Sequence, residues 1–454
     1  MTEHPQRHEH RGCVPVRRGP SPFLDGDPER ERLRPAADRR TFLKVAGAGG
    51  AGLLFSAAPG AETAVAAPRT WNRAYVLVVD GCRPDEIDSG LMPNLKALRS
   101  SGTTYPAARS LPVMETIPNH VMMMTGVRPD RNGVPANSFF DRALGEERTL
   151  DRPGDLKAST LLWWARKHGM TSGTVLSKEY LYGIFGRQAT YRWEPRPIVP
   201  ISGHAPDSFT MDATLSIVER FDPHLVFVNL GDVDRVGHTD LTGGLSLEVL
   251  RRTALVTTDL QVGRFVQMLR TTGRWEKSIV VVLADHSMDW SLPHRVISLT
   301  RPLAADPFLA GKVEIAQNGG ANLLYWTGPA SQRQAGVDRM VAIARAQRGV
   351  LGVYDRAKVQ RQLRLGPEAG DVVVYCQAGW RFSDPNVLSN PIPGNHGHPP
   401  TAPIPFFVSG GHPIVRPGSS PLPATTVDVT PTVAKFLGLP FPTGRQAWEG
   451  QARI

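Results

Sequence analysis

The sequence predicts an α/β fold: a mostly parallel central sheet flanked by helices, with an α+β cap inserted late in the chain. Three observations predict it. Valine-rich apolar runs without period-two alternation recur along the chain, as expected of strands buried on both faces. Segments with helical apolar spacing alternate with these runs. The runs lead into acidic and imidazole side chains, which fits an open α/β sheet that gathers its chemistry at one edge.

The amino-terminal segment stands apart from this pattern. Residues 1–38 are polar, rich in Arg and Pro and free of apolar periodicity, a composition that predicts disorder. Arg39-Arg40-Thr41-Phe42-Leu43-Lys44 follows, then an uncharged run of Gly, Ala and Leu from Val45 to Ala61, then Ala64-Val65-Ala66. Charge, mild apolar stretch and a small-residue cleavage site in that order make a signal peptide. The paired arginines point to twin-arginine export. The expected division is a leader over 1–66 and a secreted catalytic domain over 67–454. The apolar run falls short of the ~20 strongly apolar residues that a spanning helix needs, so no stable membrane insertion is expected.

Charge and cysteine content constrain less. The chain holds 52 Lys+Arg and 42 Asp+Glu; the leader takes 10 and 8 of them, leaving 42 against 34, or +8. That excess suits a small anionic substrate and suits plain solubility equally well; no nucleic-acid duplex is expected as a partner. Of the 3 cysteines, Cys13 lies in the leader. Cys82 and Cys376 either pair or stand as two thiols, and the sequence leaves both open.

The predicted strands are Ala74–Asp80, Leu225–Leu230, Ser278–Ala284 and Pro405–Val408. A helix carries Pro93 to Leu98. Another buries Leu255, Val262, Val266 and Leu269 on one face. The last begins at Thr430, with Pro431 in its first turn, and closes at Gly438. From about 300 to 395 the pattern weakens into short strands (Gly370 to Tyr375) and one helix near Gln334–Gln347, which reads as the inserted cap.

The first run ends at Asp80. The second leads into Asp232, Asp234 and His238, and the third into Asp285-His286. Gly394-Asn395-His396-Gly397 lies near the fourth. With one of Asp232 and Asp234 counted, three carboxylates and three imidazoles drawn from four places suit two divalent ions, since zinc accepts both donor types and a catalytic site leaves a position open. Thr116 sits at the amino end of a helix that holds Pro118 in its first turn and stops at Gly126. Free N–H groups and the helix dipole favour negative charge there. A threonine hydroxyl needs activation to act as a nucleophile, and an adjacent metal supplies it. Simple capping is the competing role.

Together these residues resemble the alkaline phosphatase superfamily, most of all its nucleotide pyrophosphatase/phosphodiesterase branch. The resemblance runs from Val79-Asp80-Gly81-Cys82-Arg83 to Asp428-Val429-Thr430-Pro431-Thr432. Its most specific block is Thr116-Ile117-Pro118-Asn119-His120, Thr125 to Gly133 and Ala136 to Asp141. It implies an alkaline phosphatase-like fold and a phospho-threonine intermediate on Thr116, with the Asn137 amide donating to a phosphoryl oxygen. It implies one zinc held by Asp234, His238 and His396, and a second by Asp80, Thr116, Asp285 and His286. The four-residue spacing to His238 selects Asp234 over Asp232, and the Gly-X-His-Gly frame selects His396 over His398. Cys82, Ser287 and His398-Pro399-Pro400 depart from the family at substrate-facing positions and leave the cage whole. A neutral amide opposite the nucleophile suits the single charge of a diester. The expected activity is therefore a secreted phosphodiesterase or nucleotide pyrophosphatase acting on a small phosphate ester or nucleotide. A phosphonate or phosphomonoester hydrolase, or a secreted binding protein without catalysis, is the alternative.

Overall fold

The computed structural model describes residues 70–195, 203–238 and 248–454. The leader, its paired arginines and its cleavage site lie outside the described residues. Twelve strands matter to the site. They are β1 (Arg73–Val79), β2 (Thr103–Thr104), β3 (Ser172–Leu176), β4 (Tyr191–Trp193), β5 (Leu225–Leu230), β6 (Ser278–Leu283), β7 (Val313–Asn318), β8 (Ala321–Trp326), β9 (Val350–Asp355), β10 (Val372–Cys376), β11 (Phe406–Ser409) and β12 (Gly418–Ser419). The helices are α1 (Pro93–Ser100), α2 (Thr116–Thr125), α3 (Asp207–Phe221), α4 (Asp232–His238), α5 (Glu248–Thr271), α6 (Arg333–Arg345) and α7 (Val429–Leu437).

The main sheet has eight strands in the order β12-β2-β11-β6-β1-β5-β3-β4. The five from β6 to β4 are mutually parallel. Every residue of β1, β5 and β6 is buried, which is why those runs are apolar without alternation. Two features escaped the sequence pattern. Strand β3 reads Ser-Gly-Thr-Val-Leu and is fully buried, its apolar signal diluted by small polar residues. Strand β11 runs antiparallel to β6, with Phe406 opposite Leu283. Its amino end therefore lies at the edge where the parallel strands finish.

The segment between Val313 and Cys376 forms an antiparallel sheet of its own, in the order β7-β8-β10-β9. Helix α6 covers one face of it, and Leu324, Trp326, Met340 and Val374 share a separate core. Helix α7 ends at Gly438 in the left-handed conformation, one residue after its last turn, as the Pro-in, Gly-out pattern predicts. Cys82 and Cys376 are both buried free thiols, so they do not pair.

Candidate active site and metal centre

Strands β6, β1 and β5 are neighbours, and their registers end level: Val79 faces Leu230, and Val78 faces Leu283. The residues that follow them, Asp80, Asp285-His286 and the first turns of α4, consequently meet at one edge. Gly81 makes that meeting possible. Its φ is +71°, and a Cβ there would lie 3.0 Å from the Cα of Asp234. His396 arrives differently. The sequence pattern assigns it to a strand end, but it follows the two-residue strand Gly394–Asn395, which pairs with Asp289–Trp290 just beyond His286. Gly394 approaches so closely that a Cβ would lie 2.2 Å from the carbonyl oxygen of Gly237.

Thr116 opens α2, after Glu115 as the N-cap residue, and α2 stops at Gly126 with φ of 68°. The structure links the predicted metal-binding residues into one cluster that meets its hydroxyl at His286. Thr116 Oγ1 lies 3.2 Å from His286 Nε2. That nitrogen lies 3.5 Å from Asp285 Oδ2 and 3.7 Å from Asp80 Oδ1. On the other side, His238 Nε2 lies 3.3 Å from Asp234 Oδ1 and 3.1 Å from His396 Nε2. The two halves touch where the His286 and His396 rings stack, 3.7 Å between centroids. Neither rejected candidate joins the cluster. Asp232 pairs with His204 and accepts the Asp207 amide, and His398 pairs with Asp289.

Orientation of these groups fits metal binding. His238 Nδ1 donates to the Gly394 carbonyl and His286 Nδ1 to the Ser287 carbonyl, which turns each Nε2 lone pair inward. Asp80 Oδ1, Asp234 Oδ1 and Asp285 Oδ2 are buried and have no hydrogen-bond partner. Three buried carboxylate oxygens are too costly to leave bare, and a cation answers them. Ligand atoms of Asp234, His286 and His396 fall within 4.8 Å of one another. These imidazole and carboxylate donors suit a divalent metal.

Several residues that the sequence reading did not single out complete the site. Lys178, fully buried just past β3, places Nζ 2.7 Å from Asp80 Oδ2 and 2.7 Å from Asp234 Oδ2. One ammonium thus braces a carboxylate from each half. Burial alone would raise Asp234, but the charges of Lys178 and His238 hold it well below the usual carboxylate range. Asp80 lies above that range, because burial and the Asp285 charge outweigh Lys178. Burial also pushes His286 down to about 4 and His396 well below an ordinary imidazole, so both are neutral and able to ligate. Asn229, a polar interruption in the apolar run of β5, donates to Asp80 Oδ2 at 2.7 Å and contacts His120 Nε2 at 3.1 Å. His120 Nδ1 in turn donates to the Thr116 carbonyl at 2.8 Å. His120 therefore supports the nucleophile segment with both nitrogens.

Asn137 is held by its own backbone and carbonyl. Its N–H donates to Glu115 Oε2 at 2.8 Å, and its Oδ1 accepts from Ile117 N–H at 2.8 Å. Asn137 lines a cavity with Thr116. The small sheet secures this loop: Asn318 makes a two-point pair with the Ser138 backbone, and Gly320 N–H donates to the His396 carbonyl. Glu115 is 2% exposed, and burial pushes its carboxyl up to about 8. Its folded value exceeds the unfolded one of about 4.3, so the contribution to stability is complete below about pH 4 and is lost as pH rises toward 8. We expect the metal-free Glu115→Gln protein to lose stability less steeply between about pH 5 and 8, by up to about 1.4 kcal/mol per pH unit. Denaturant melts across that range check this, and parallel slopes for both proteins would refute it.

The cavity measures about 280 Å³ and is lined by Thr116, Asn137, Tyr180, Asp234, Arg235, His238 and His396, among others. Tyr180, Tyr182, Phe185 and Trp193 lie close together in the sequence, and of these only Tyr180 reaches the wall. Phe185 and Trp193 are core, and Tyr182 donates to the Pro195 carbonyl. A larger cleft of about 620 Å³ runs along the carboxyl-terminal tail. Its Arg364 and Arg453 are committed to Asp130 and Asp428, and no residue of the metal cluster borders it.

A family model described as type I phosphodiesterase/nucleotide pyrophosphatase matches residues 74–398. An uncharacterised pyrophosphatase/phosphodiesterase of Schizosaccharomyces pombe is 27% identical over 239 residues, 49% of this chain and 46% of the relative. A bis(5'-adenosyl)-triphosphatase of Mus musculus is 23% identical over 386 residues, 81% of this chain and 78% of the relative. The chain spans about half the length of the first of these, and 25% of the Mus musculus ectonucleotide pyrophosphatase/phosphodiesterase family member 3. Among solved structures, murine ectonucleotide pyrophosphatase/phosphodiesterase 5 superposes with a TM-score of 0.67 at 18% identity, covering 82% of this chain and 97% of that one. Phosphonoacetate hydrolase from Sinorhizobium meliloti 1021 superposes with a TM-score of 0.63 at 19% identity, covering 81% and 96%. At these identities the two structures establish the fold.

Proposed function

This chain belongs to the type I phosphodiesterase/nucleotide pyrophosphatase family, and on that premise we propose that it hydrolyses phosphate diesters or phosphoanhydrides through a phospho-threonine on Thr116. One observation carries the reading: three unpartnered, buried carboxylate oxygens and three imidazoles form one linked cluster that reaches the hydroxyl at the amino end of α2 through His286. Two divalent ions held there, by Asp234, His238 and His396 and by Asp80, Thr116, Asp285 and His286, would supply Lewis-acid charge for the attacking and leaving oxygens.

The chain's own groups do the rest. Thr116 Oγ1, its proton released to solvent, attacks phosphorus in line, forming the Oγ1–P bond as the bond to the leaving oxygen breaks; the leaving group departs with that electron pair and takes a proton from solvent. The amino end of α2 and the Asn137 amide stabilise charge on the phosphoryl oxygens. Water then attacks the phospho-threonine, releasing the phosphate product and restoring the hydroxyl. The murine structural neighbour supports the threonine role, since an inactive threonine-to-alanine variant of it is described in complex with AMP. The phosphonoacetate hydrolase keeps a phosphonate substrate in view as the second reading. Arg39-Arg40 and the stretch after it support export by the twin-arginine route. Among the described residues, no helix is long and apolar enough to cross a membrane.

Rates measured in parallel on bis-p-nitrophenyl phosphate, p-nitrophenyl phosphate and phosphonoacetate test the proposal. The zinc-loaded protein is expected to prefer the diester to the monoester by at least about tenfold in kcat/KM, the neutral Asn137 amide lacking the charge that grips a dianion. A monoester preference overturns it. Failure to bind zinc, together with no hydrolysis of any of the three, points instead to a binding protein.

A further inference from the structure

The cavity wall carries one arginine that the chemistry above does not use. Arg235 follows Asp234 in α4 and lines the cavity with Thr116 and Asn137, and it is the only Lys or Arg on that wall among the described residues. Among the described residues its guanidinium meets a phenol and no carboxylate: Nη2 donates to Tyr180 Oη at 3.1 Å, and the group lies 5.8 Å from the Tyr180 ring centroid. Its Nε is buried and has no hydrogen-bond partner. Two buried arginines with a structural role look different. Arg73 makes a two-point pair with Asp222, and Arg251 a two-point pair with Glu86. The carboxylates nearest Arg235 in sequence and charge, Asp234 and Asp80, spend one oxygen each on Lys178 and turn the other to the metal cluster.

A planar, permanently charged fork on a cavity wall, without a carboxylate partner among the described residues, matches a carboxylate or phosphate in two-point geometry. We propose that Arg235, oriented by Tyr180, forms a second anion subsite, so that the substrate carries an anionic group close to the phosphorus that Thr116 attacks. The chemistry shared by candidate substrates is a phosphoryl or phosphonyl centre with a second phosphate or carboxylate near it. The wall supports a small anion rather than a stacked base, because Tyr180 is its only Phe, Tyr or Trp among the described residues and already holds the guanidinium. This inference rests on the hydrolase reading for its location and deepens it by naming the substrate class.

The test compares wild type with Arg235→Gln, Arg235→Lys and Tyr180→Phe, all zinc-loaded and checked for equal zinc content and fold. Activity is read as kcat/KM on ADP and on phosphonoacetate, which carry a second anion, against bis-p-nitrophenyl phosphate, which does not. Arg235→Gln is expected to lose at least 30-fold more on ADP, on phosphonoacetate or on both than on the uncharged-flank diester. Arg235→Lys should recover most of that difference, and Tyr180→Phe should show a smaller loss in the same direction. Which of the two substrates responds distinguishes a second phosphate from a carboxylate. Calorimetry provides a readout without turnover: Arg235→Gln should weaken methylenediphosphonate at least tenfold more than methylphosphonate. Equal losses across all substrates and both probes overturn the subsite. If wild type cleaves none of the three substrates, the hydrolase reading fails, while the calorimetric comparison still decides the subsite on its own.

Discussion

Replacing Thr116 with alanine is expected to reduce turnover by roughly 10⁴-fold or more, while the protein keeps nearly all its zinc. The two halves of that result have separate causes. Turnover falls because the variant has no oxygen to form the covalent intermediate, and the remaining donors can only polarise a phosphate that nothing attacks. Zinc stays because Asp80, Asp285 and His286 hold one half of the cluster and Asp234, His238 and His396 the other. Removing one hydroxyl leaves every charged ligand in place. Stopped-flow turnover and elemental analysis on the same preparation check it. Substantial residual activity at full zinc content would mean that water attacks phosphorus directly and that Thr116 serves only the helix.

The largest effect on stability is expected at Lys178. Changing it to Met should destabilise the metal-free protein by about 3–5 kcal/mol, since removing one partner of a buried ion pair leaves the others uncompensated. Here two carboxylates lose one ammonium, each 2.7 Å away and each buried. The midpoint of thermal unfolding should fall by on the order of 10 °C. Zinc loading should shrink that deficit, because divalent charge next to Asp80 and Asp234 replaces what the ammonium supplied. Thermal melts of both proteins, with chelator and with zinc, make the comparison. An equal deficit in both conditions would show that Lys178 acts through packing and not through charge.

Much of this architecture is legible in the residues themselves. Continuous valine-rich runs give away β1, β5 and β6, because a strand covered on both faces has no polar side to alternate with. Strand β3 is hidden by Ser172, Gly173 and Thr174, small residues buried by close packing rather than through apolar area. Lys178 escapes for a related reason. A lysine after a strand normally points to solvent, and only the two carboxylates converging on it make burial tolerable. Asn229 did leave a trace, as the one amide inside an apolar run, and such an interruption marks a buried polar contact worth pursuing.

By itself the sequence determined the chemical inventory of this protein: a hydroxyl at a helix start, three carboxylates, three imidazoles and an amide, in the order and frames of one family. It determined the buried strands too, because burial on both faces selects residue types locally. Only the tertiary structure decided which groups meet. The level ends of β6, β1 and β5 bring Asp285, Asp80 and Asp234 together, and the reversed direction of β11 carries the loop with His396 to the same edge. Local composition encodes burial, but contact between distant side chains depends on strand order and register, which are properties of the assembled sheet.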